Sequence, residues 1–242
     1  MRERSPLFAG LLLLAAALAL GLFWVAGGIR DRGRTDAVSV TGSAKQRIVS
    51  DYVIWYTSVT SQQASPAEAL RELDRWAERV RAFFVENGAQ EDEVTLQPVY
   101  TEIVYGLTPE GQQTGEVVGY RLTRSFEVRS SRIEPIRGLV EASSGLLSEG
   151  IPLSAQQPQY VYTQLAKLRP RLLAEATKDA MARARVIVES TGKKLGGLRS
   201  VSVGVFQVTA PNSTDVSDYG IYDTSTVAKD VTAVVNVSFA LD

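Results

Sequence analysis

Hydrophobic residues follow three different patterns along this chain. From Ser5 to Ile29 they run without a single charge ("SPLFAGLLLLAAALALGLFWVAGGI"). From Tyr52 to Val59 they alternate with polar residues, and from Leu70 to Phe84 they recur every three or four positions. The first run reaches the ~20 apolar residues that a bilayer core requires. It exceeds the roughly 7–15 residues of an ordinary signal-peptide core. Phe23 and Trp24 stand where an interfacial aromatic belt would lie. These features predict a membrane anchor over residues 5–29, a polar linker over 30–36 ("RDRGRTD" without a hydrophobic residue) and a folded domain over 37–242. The alternative is secretion after cleavage near residue 28, where Ala26 and Gly28 form a small-x-small pattern.

The remaining patterns predict an α+β fold. Val38 and Val40 alternate with polar residues before Gly42, and Val53, Trp55, Thr57 and Val59 share one face of a second strand. Ser65-Pro66-Ala67-Glu68 reads as a capping box with Pro at the first helical position. Leu70, Leu73, Ala77, Val80 and Phe84 form the buried stripe of the helix that follows, and Asn87-Gly88 ends it. "EVTLQPVYTEIVYG" and "GEVVGYRLTRSFEVRS" predict a strand pair with Val117, Tyr120, Leu122, Phe126 and Val128 inward. "RIEPIRGLVEASSGLLSEG" predicts one helix with Ile136, Leu139, Val140, Leu146 and Leu147 in the core. A strand interrupted near Pro158 follows. A third helix starts at Pro170 and stops at Gly192. "LRSVSVGVFQV" predicts a strand and the stretch from Thr209 to Asp230 a long polar loop. The last strand alternates Val231, Ala233, Val235, Val237 and Phe239. The order is ββ-α-ββ-α-β-α-ββ, with mixed or antiparallel sheets and about three packed helices.

Composition narrows the chemistry. The chain has 242 residues, a formal net charge of −1, no Cys and no His. Thiol catalysis, Cys-ligated zinc, iron–sulfur clusters and every triad built on His are therefore excluded. A balanced charge offers no electrostatic footprint for nucleic acid. Metal binding would have to use oxygen ligands alone. No catalytic, cofactor-binding or metal-binding residue is assigned, and no cofactor is expected.

The third helix looks basic, with Arg171, Lys178, Arg183 and Arg185, but Glu175, Asp179 and Glu189 are interleaved. Asp179–Arg183 and Glu189–Lys193 have i,i+4 spacing, which supports a helix and cancels a basic stripe. Ala176, Ala180, Ala184 and Val188 recur every four residues, with Leu173 and Ile187 extending the face. A face of alanines brings backbones close and offers no chemistry. Asp215, Asp218, Asp223 and Asp230 cluster in the 209–230 loop without an EF-hand pattern, and Tyr219 and Tyr222 stand beside them. "TGKKLGG" lies at a helix C-terminus, where phosphate is not favoured. Asn212-Ser213-Thr214 and Asn236-Val237-Ser238 match the glycosylation sequon. Glu102 and Glu116, flanking the predicted hairpin, are the pair on which a carboxylate-dependent hydrolase would rest.

Several segments together resemble the SIMPL-domain family: "VSVTGSA", "SDYVIWYTSVTSQ" with its helix ending "ENGAQEDEVTLQPV", "GYRLTRSFEV" and "AEATKDAMARARVIVESTGKKLGGLRSVSVG". "YVYTQLAKLRPRLLAEATKDA" resembles the members that carry an N-terminal membrane segment. The resemblance runs from Val38 to Asp242. It implies an extracytoplasmic bacterial α+β domain without an established enzymatic activity. Some relatives are described as ring-like oligomers or as linked to envelope stress. The expectation is a non-enzymatic structural or interaction module, self-associating or bound to an envelope protein partner. It would be held by a single span in the bacterial inner membrane, facing the periplasm. The alternatives are a ligand-binding sensor using the 209–229 loop and the carboxylate hydrolase. Arg2 and Arg4 on one side of the span and Arg30, Arg32 and Arg34 on the other leave the positive-inside count open.

Overall fold

The computed structural model describes residues 15–22 and 36–242. Residues 15–22 are helical with exposed side chains, including Leu18, Leu20 and Leu22. The rest of the expected span and all of the linker except Asp36 lie outside the described residues. Among the described residues, no helix is long and apolar enough to cross a membrane. The remainder is α+β, with one five-stranded and one six-stranded sheet.

The chain divides into two compact units. The larger comprises residues 45–172 and 205–232. In it β2 (Tyr52–Gln63) pairs antiparallel with β5 (Gln113–Ser130) from Val53↔Ser130 to Gln63↔Tyr120. Strands β3 (Val94–Leu96) and β4 (Tyr100–Leu107) pair with β5. Strands β6 (Leu153–Ala155) and β7 (Gln159–Val161) pair with β2. The expected alternation holds: Val53, Trp55, Thr57 and Val59 are all buried. Helix α1 (Pro66–Glu86) packs on this face through Ala69, Leu73, Ala77, Val80, Phe83 and Phe84. Its N-cap Ser65 accepts from the Glu68 amide at 3.3 Å. The Ser65 hydroxyl donates to the Glu68 carboxylate at 3.0 Å, so the second arm of the box goes to the side chain, not the backbone. Gly88, at φ +111°, takes the left-handed step after the Asn87 cap. Leu70, Val117 and Leu147, expected inward, are exposed.

Several predicted elements are split. The strand expected over 93–106 is two, β3 and β4, preceded by a 3-10 turn (Glu91–Glu93) and divided around Pro98, which has no amide for the ladder. The single helix expected over 132–150 is two, α2 (Ile133–Ala142) and α3 (Gly145–Ser148). At the break the Ser143 hydroxyl donates to the Val140 carbonyl at 2.7 Å, competing with the helical ladder. Helix α4 (Leu165–Glu189) starts five residues before Pro170, which stands inside it. Only the second turn is affected, where the missing amide leaves one early carbonyl without its usual partner. The strand expected over 198–208 is β8 (Leu195–Val203) and β9 (Gln207–Thr209), and the polar loop contains the short strand β10 (Ile221–Tyr222).

The described residues of the smaller unit are 15–22, 36–44, 173–204 and 233–242. It holds the first part of β1 (Ala37–Val49), most of α4, β8 and the end of β11 (Ala228–Leu241). Ala176, Ala180, Ala184 and Val188 are buried, as are Ala233, Val235, Val237 and Phe239 on β11. Ile187, expected to extend the buried face, is 46% exposed. A Cβ on Gly42 would lie 2.2 Å from the Ala176 carbonyl oxygen and 2.5 Å from the Ala180 amide nitrogen. Strand and helix therefore touch backbone to backbone, and the alanine stripe is what permits it. Asp179 accepts from the Ser43 amide at 2.9 Å and pairs with Arg183 at 2.9 Å. The Glu189–Lys193 pair does not form as a helical pair, because the helix ends at Glu189 and Lys193 bonds Asp36 instead.

Candidate functional site

Three places in the molecule gather polar chemistry or leave apolar surface open. The first is the 209–230 segment. Its four aspartates do not converge, and no group of three or more Asp or Glu among the described residues is arranged to hold a metal ion. Asp230 is turned inward and accepts from Lys45 at 2.9 Å, Arg47 at 2.9 and 3.2 Å and the Asn212 amide at 3.2 Å. The Arg47 hydrogen bond, with help from Lys45, holds its carboxyl far below the usual carboxylate range. Lys45 and Arg47 are two apart on β1 and so share a face. That spacing was the signal for the cradle, but the sequence did not name its acid.

Asp223 is bound by its own neighbours. It accepts from the Ser225 amide at 2.9 Å and hydroxyl at 2.7 Å, from the Thr226 hydroxyl, and from Lys229 at 3.3 Å. Burial pushes the carboxyl up, but these donors and the Lys229 charge bring it well below its ordinary value. Lys229 is fully buried and also donates to the Thr226 carbonyl. Burial lowers its ammonium pKa against the opposing pull of Asp223. Asp215 accepts from Ser213, Tyr219 is 98% exposed, and the Tyr222 hydroxyl accepts from the Tyr162 amide at 3.2 Å. Of the two sequons, Asn212 lies in the Asp230 cradle at φ +62°, and Asn236 in β11 accepts from Thr41.

The second place is a pair of shallow pockets. One, of about 560 Å³, is lined by Gln63, Glu68, Arg71, Glu72 and Arg75. Glu72 is fixed there by Ser61 at 2.7 Å and Gln63 at 2.8 Å, bonds that keep its carboxyl ionised. The other, of about 320 Å³, is lined by Tyr56, Thr57, Ser58, Ser125, Ser154 and Gln156. Neither contains Glu102 or Glu116. Glu102 accepts from Arg121 at 3.0 Å across the β4–β5 ladder, and Glu116 is exposed farther along. These two carboxylates line neither of these pockets and are not partners in the β4–β5 ladder, where Glu102 stands opposite Arg121.

The third place is the β4–β5 hairpin. Strand β2 pairs with β5 only from Tyr120 onward, whereas β4 pairs with it from Thr123 back to Gln113. Residues 104–119 are thus a two-stranded ribbon extending past the sheet. Its tip is closed by the Thr108 amide to Gln112 carbonyl bond at 2.8 Å. Leu107, Val117 and Val118 are exposed on it, Leu107 at 64%, and Tyr100 and Ile103 are exposed on the part of β4 that precedes it. Val117, expected in the core, stands on this ribbon, where no third strand among the described residues continues the sheet.

The sequence profile of the SIMPL family, described as "Protein of unknown function (DUF541)", matches residues 38–239. The chain belongs to the SIMPL family. No curated protein matches. Among solved structures, the SIMPL chain is similar to an amidase of the hydantoinase/carbamoylase family from Burkholderia multivorans at 16% identity and TM-score 0.25, covering 50% of this chain and 29% of that one. A second amidase of that family, from Burkholderia vietnamiensis, gives 13% identity and TM-score 0.24, covering 49% and 30%. The ligand-free regulatory subunit of aspartate kinase from Thermus thermophilus gives 13% identity and TM-score 0.21, covering 81% and 87%. The chain spans less than a third of either amidase.

Proposed function

We propose that this SIMPL protein is a non-enzymatic, membrane-tethered interaction module of the bacterial envelope that associates with copies of itself. The observation that carries the reading is the ribbon at residues 104–119, on which Leu107, Val117 and Val118 are exposed among the described residues. Soluble monomers seldom leave large contiguous apolar patches open, and such patches mark interaction surfaces. Three of the carboxylates singled out, Glu102, Asp223 and Asp230, are bonded to basic or hydroxyl side chains. The uncharged run at 5–29 and the exposed leucines of residues 15–22 support a single span, and the periplasmic side for the domain is what the family resemblance implies. A role in envelope stress would follow from the partners this surface recruits. The 209–229 loop is the weaker place for a ligand, because Asp223, Ser225, Thr226 and Lys229 already satisfy one another.

Sedimentation of the full chain in detergent tests the self-association. Association that rises with protein concentration is the expected result, and a monomer throughout the micromolar range overturns it. Protease added to spheroplasts tests the topology. Digestion of the domain is expected without lysis, and protection until lysis refutes the periplasmic placement.

A further inference from the structure

Helix α1 carries four arginines, and they fall into two kinds. Arg79 pairs with Glu149 at 2.7 Å and with Glu86 at 3.0 Å, and Arg81 lies 3.8 Å from Glu91. Arg71 and Arg75 make no hydrogen bond or ion pair among the described residues. These two line the pocket of about 560 Å³, together with Gln63, Glu68 and Glu72. That volume falls within the roughly 300–1,000 Å³ of small-molecule sites.

The charges around the pocket oppose the helix that carries them. Residues four apart on a helix are neighbours, and like charges at that spacing destabilise it. Glu68 and Glu72 form one such pair, and Arg71 and Arg75 form another. The acids turn to other donors. Glu68 accepts from the Ser65 hydroxyl at 3.0 Å. Glu72 accepts from Ser61 and Gln63, both through Oε2. Ser61 is 1% exposed, so a buried hydroxyl fixes Glu72 in place. Its other oxygen, Oε1, accepts from no described residue. The pocket thus holds two arginines without an anion and a fixed carboxylate oxygen without a donor.

An apolar shelf adjoins these groups. Gln63 stands opposite Tyr120 in the β2–β5 ladder, and Ile103 stands opposite Tyr120 in the β4–β5 ladder. Directly opposed residues share a face of the sheet. Tyr120 is half-buried and Ile103 is exposed.

We infer that this pocket binds a free α-amino acid with an apolar side chain. The ligand carboxylate bridges Arg71 and Arg75 through charge-assisted hydrogen bonds. The ligand ammonium donates to Oε1 of Glu72, and the side chain lies along Tyr120 and Ile103. A plain anion fits less well, because two glutamates balance the two arginines in the lining. A zwitterion meets both signs and relieves both like-charge pairs. The site lies within the larger unit. It is complete in one chain, so it goes beyond the self-association proposed above and does not rest on it.

Isothermal titration calorimetry of the full chain in detergent at pH 7 tests the site, with leucine and phenylalanine as probes. A Kd of about 1 mM or tighter is expected for one or both, within reach of ligands this small. Leucinamide lacks the carboxylate and N-acetyl-leucine lacks the ammonium, and each is expected to bind about tenfold more weakly than leucine, or worse. Arg71→Ala with Arg75→Ala should weaken amino-acid binding by about tenfold or more. It should not lower the urea midpoint, because neither side chain has a partner to lose. Glu72→Gln keeps an acceptor for Ser61 and Gln63. It should weaken leucine but not N-acetyl-leucine, whereas a merely structural role for Glu72 would weaken both alike. No binding of either amino acid up to about 10 mM overturns the proposal. Leucinamide or N-acetyl-leucine binding as tightly as leucine overturns the zwitterion. Unchanged amino-acid affinity in either variant overturns this pocket as its place.

Discussion

The two units solve helix-on-sheet packing in opposite ways. In the larger unit, β2 and β5 meet α1 through bulky side chains. Trp55 and Phe84 have ring centroids 5.3 Å apart, and Phe84 meets Phe126 edge-on at 5.7 Å. In the smaller unit, β1 meets α4 through the absence of side chains, with Gly42 against Ala176 and Ala180. The first interface gains from apolar area removed from water. The second gains from close backbone approach and leaves no room to adjust. The bulky interface should fail when atoms are removed, and the bare one when atoms are added.

The largest effect is expected from removal in the bulky interface. Trp55→Ala deletes a fully buried ring and strands the Gln156 carbonyl that its indole nitrogen bonds at 2.9 Å. A loss of about 4 kcal/mol is expected in urea unfolding. A loss below 1 kcal/mol would mean the site collapses freely, and the contrast between the units would weaken.

Addition to the bare interface comes next. Gly42→Ala places a methyl against two backbone atoms of α4, which cannot rotate away as a side-chain tip could. The expected loss is about 3 kcal/mol, the upper end for overpacking. Thermal unfolding of the variant checks it. An unchanged Tm would show that strand and helix part easily, and the close approach would then not be a constraint.

These interfaces differed in how plainly the sequence announced them. The alternation of Val53, Trp55, Thr57 and Val59 and the four-residue recurrence of Ala176, Ala180 and Ala184 report which face is inward, and both are buried. Periodicity does not report where the neighbouring layer ends. Leu147 keeps the helical period and Val117 is an apolar residue within a strand, yet both stand outside cover. Local hydrogen bonding was also hidden: Ser143 breaks a helix through its hydroxyl, and Pro170 sits within one. The candidate surface was less legible still. A free strand edge is a property of the whole sheet, and the ribbon became visible only once β2 was seen to stop at Gln63. Lys229 was the least legible residue, since nothing local distinguishes a buried lysine from an exposed one before its acid partner is known.

Acid should weigh more on the larger unit, although the Ser43 amide also holds Asp179 of the smaller unit below its ordinary value. Asp230 belongs to the larger unit, and its folded-state pKa is depressed chiefly by the Arg47 hydrogen bond. A depressed carboxyl binds its proton less readily folded than unfolded. Its contribution is complete above the unfolded value of ~3.9 and is lost as pH falls below it. Asp223, also depressed, acts in the same direction. The wild type is expected to lose several degrees of Tm between pH 5 and pH 2.5, and Asp230→Asn to lose less over that interval from a lower start. An equal loss in both would remove Asp230 as the cause.

The smallest effect tests the outer side of α4, where the alanine rule stops applying. Ile187 and Val186 are exposed although they lie on the helix that carries Ala184. Neither contributes to the close approach, so Ile187→Ala and Val186→Ala should each change stability by less than about 0.5 kcal/mol. Ala184→Val, one turn away on the buried side, should cost several times more through overpacking. Urea midpoints of the three variants decide it. If Ile187→Ala were as damaging as Ala184→Val, the helix would be held by its large residues. The bare interface would then be a variant of the bulky one, with no distinct way of packing.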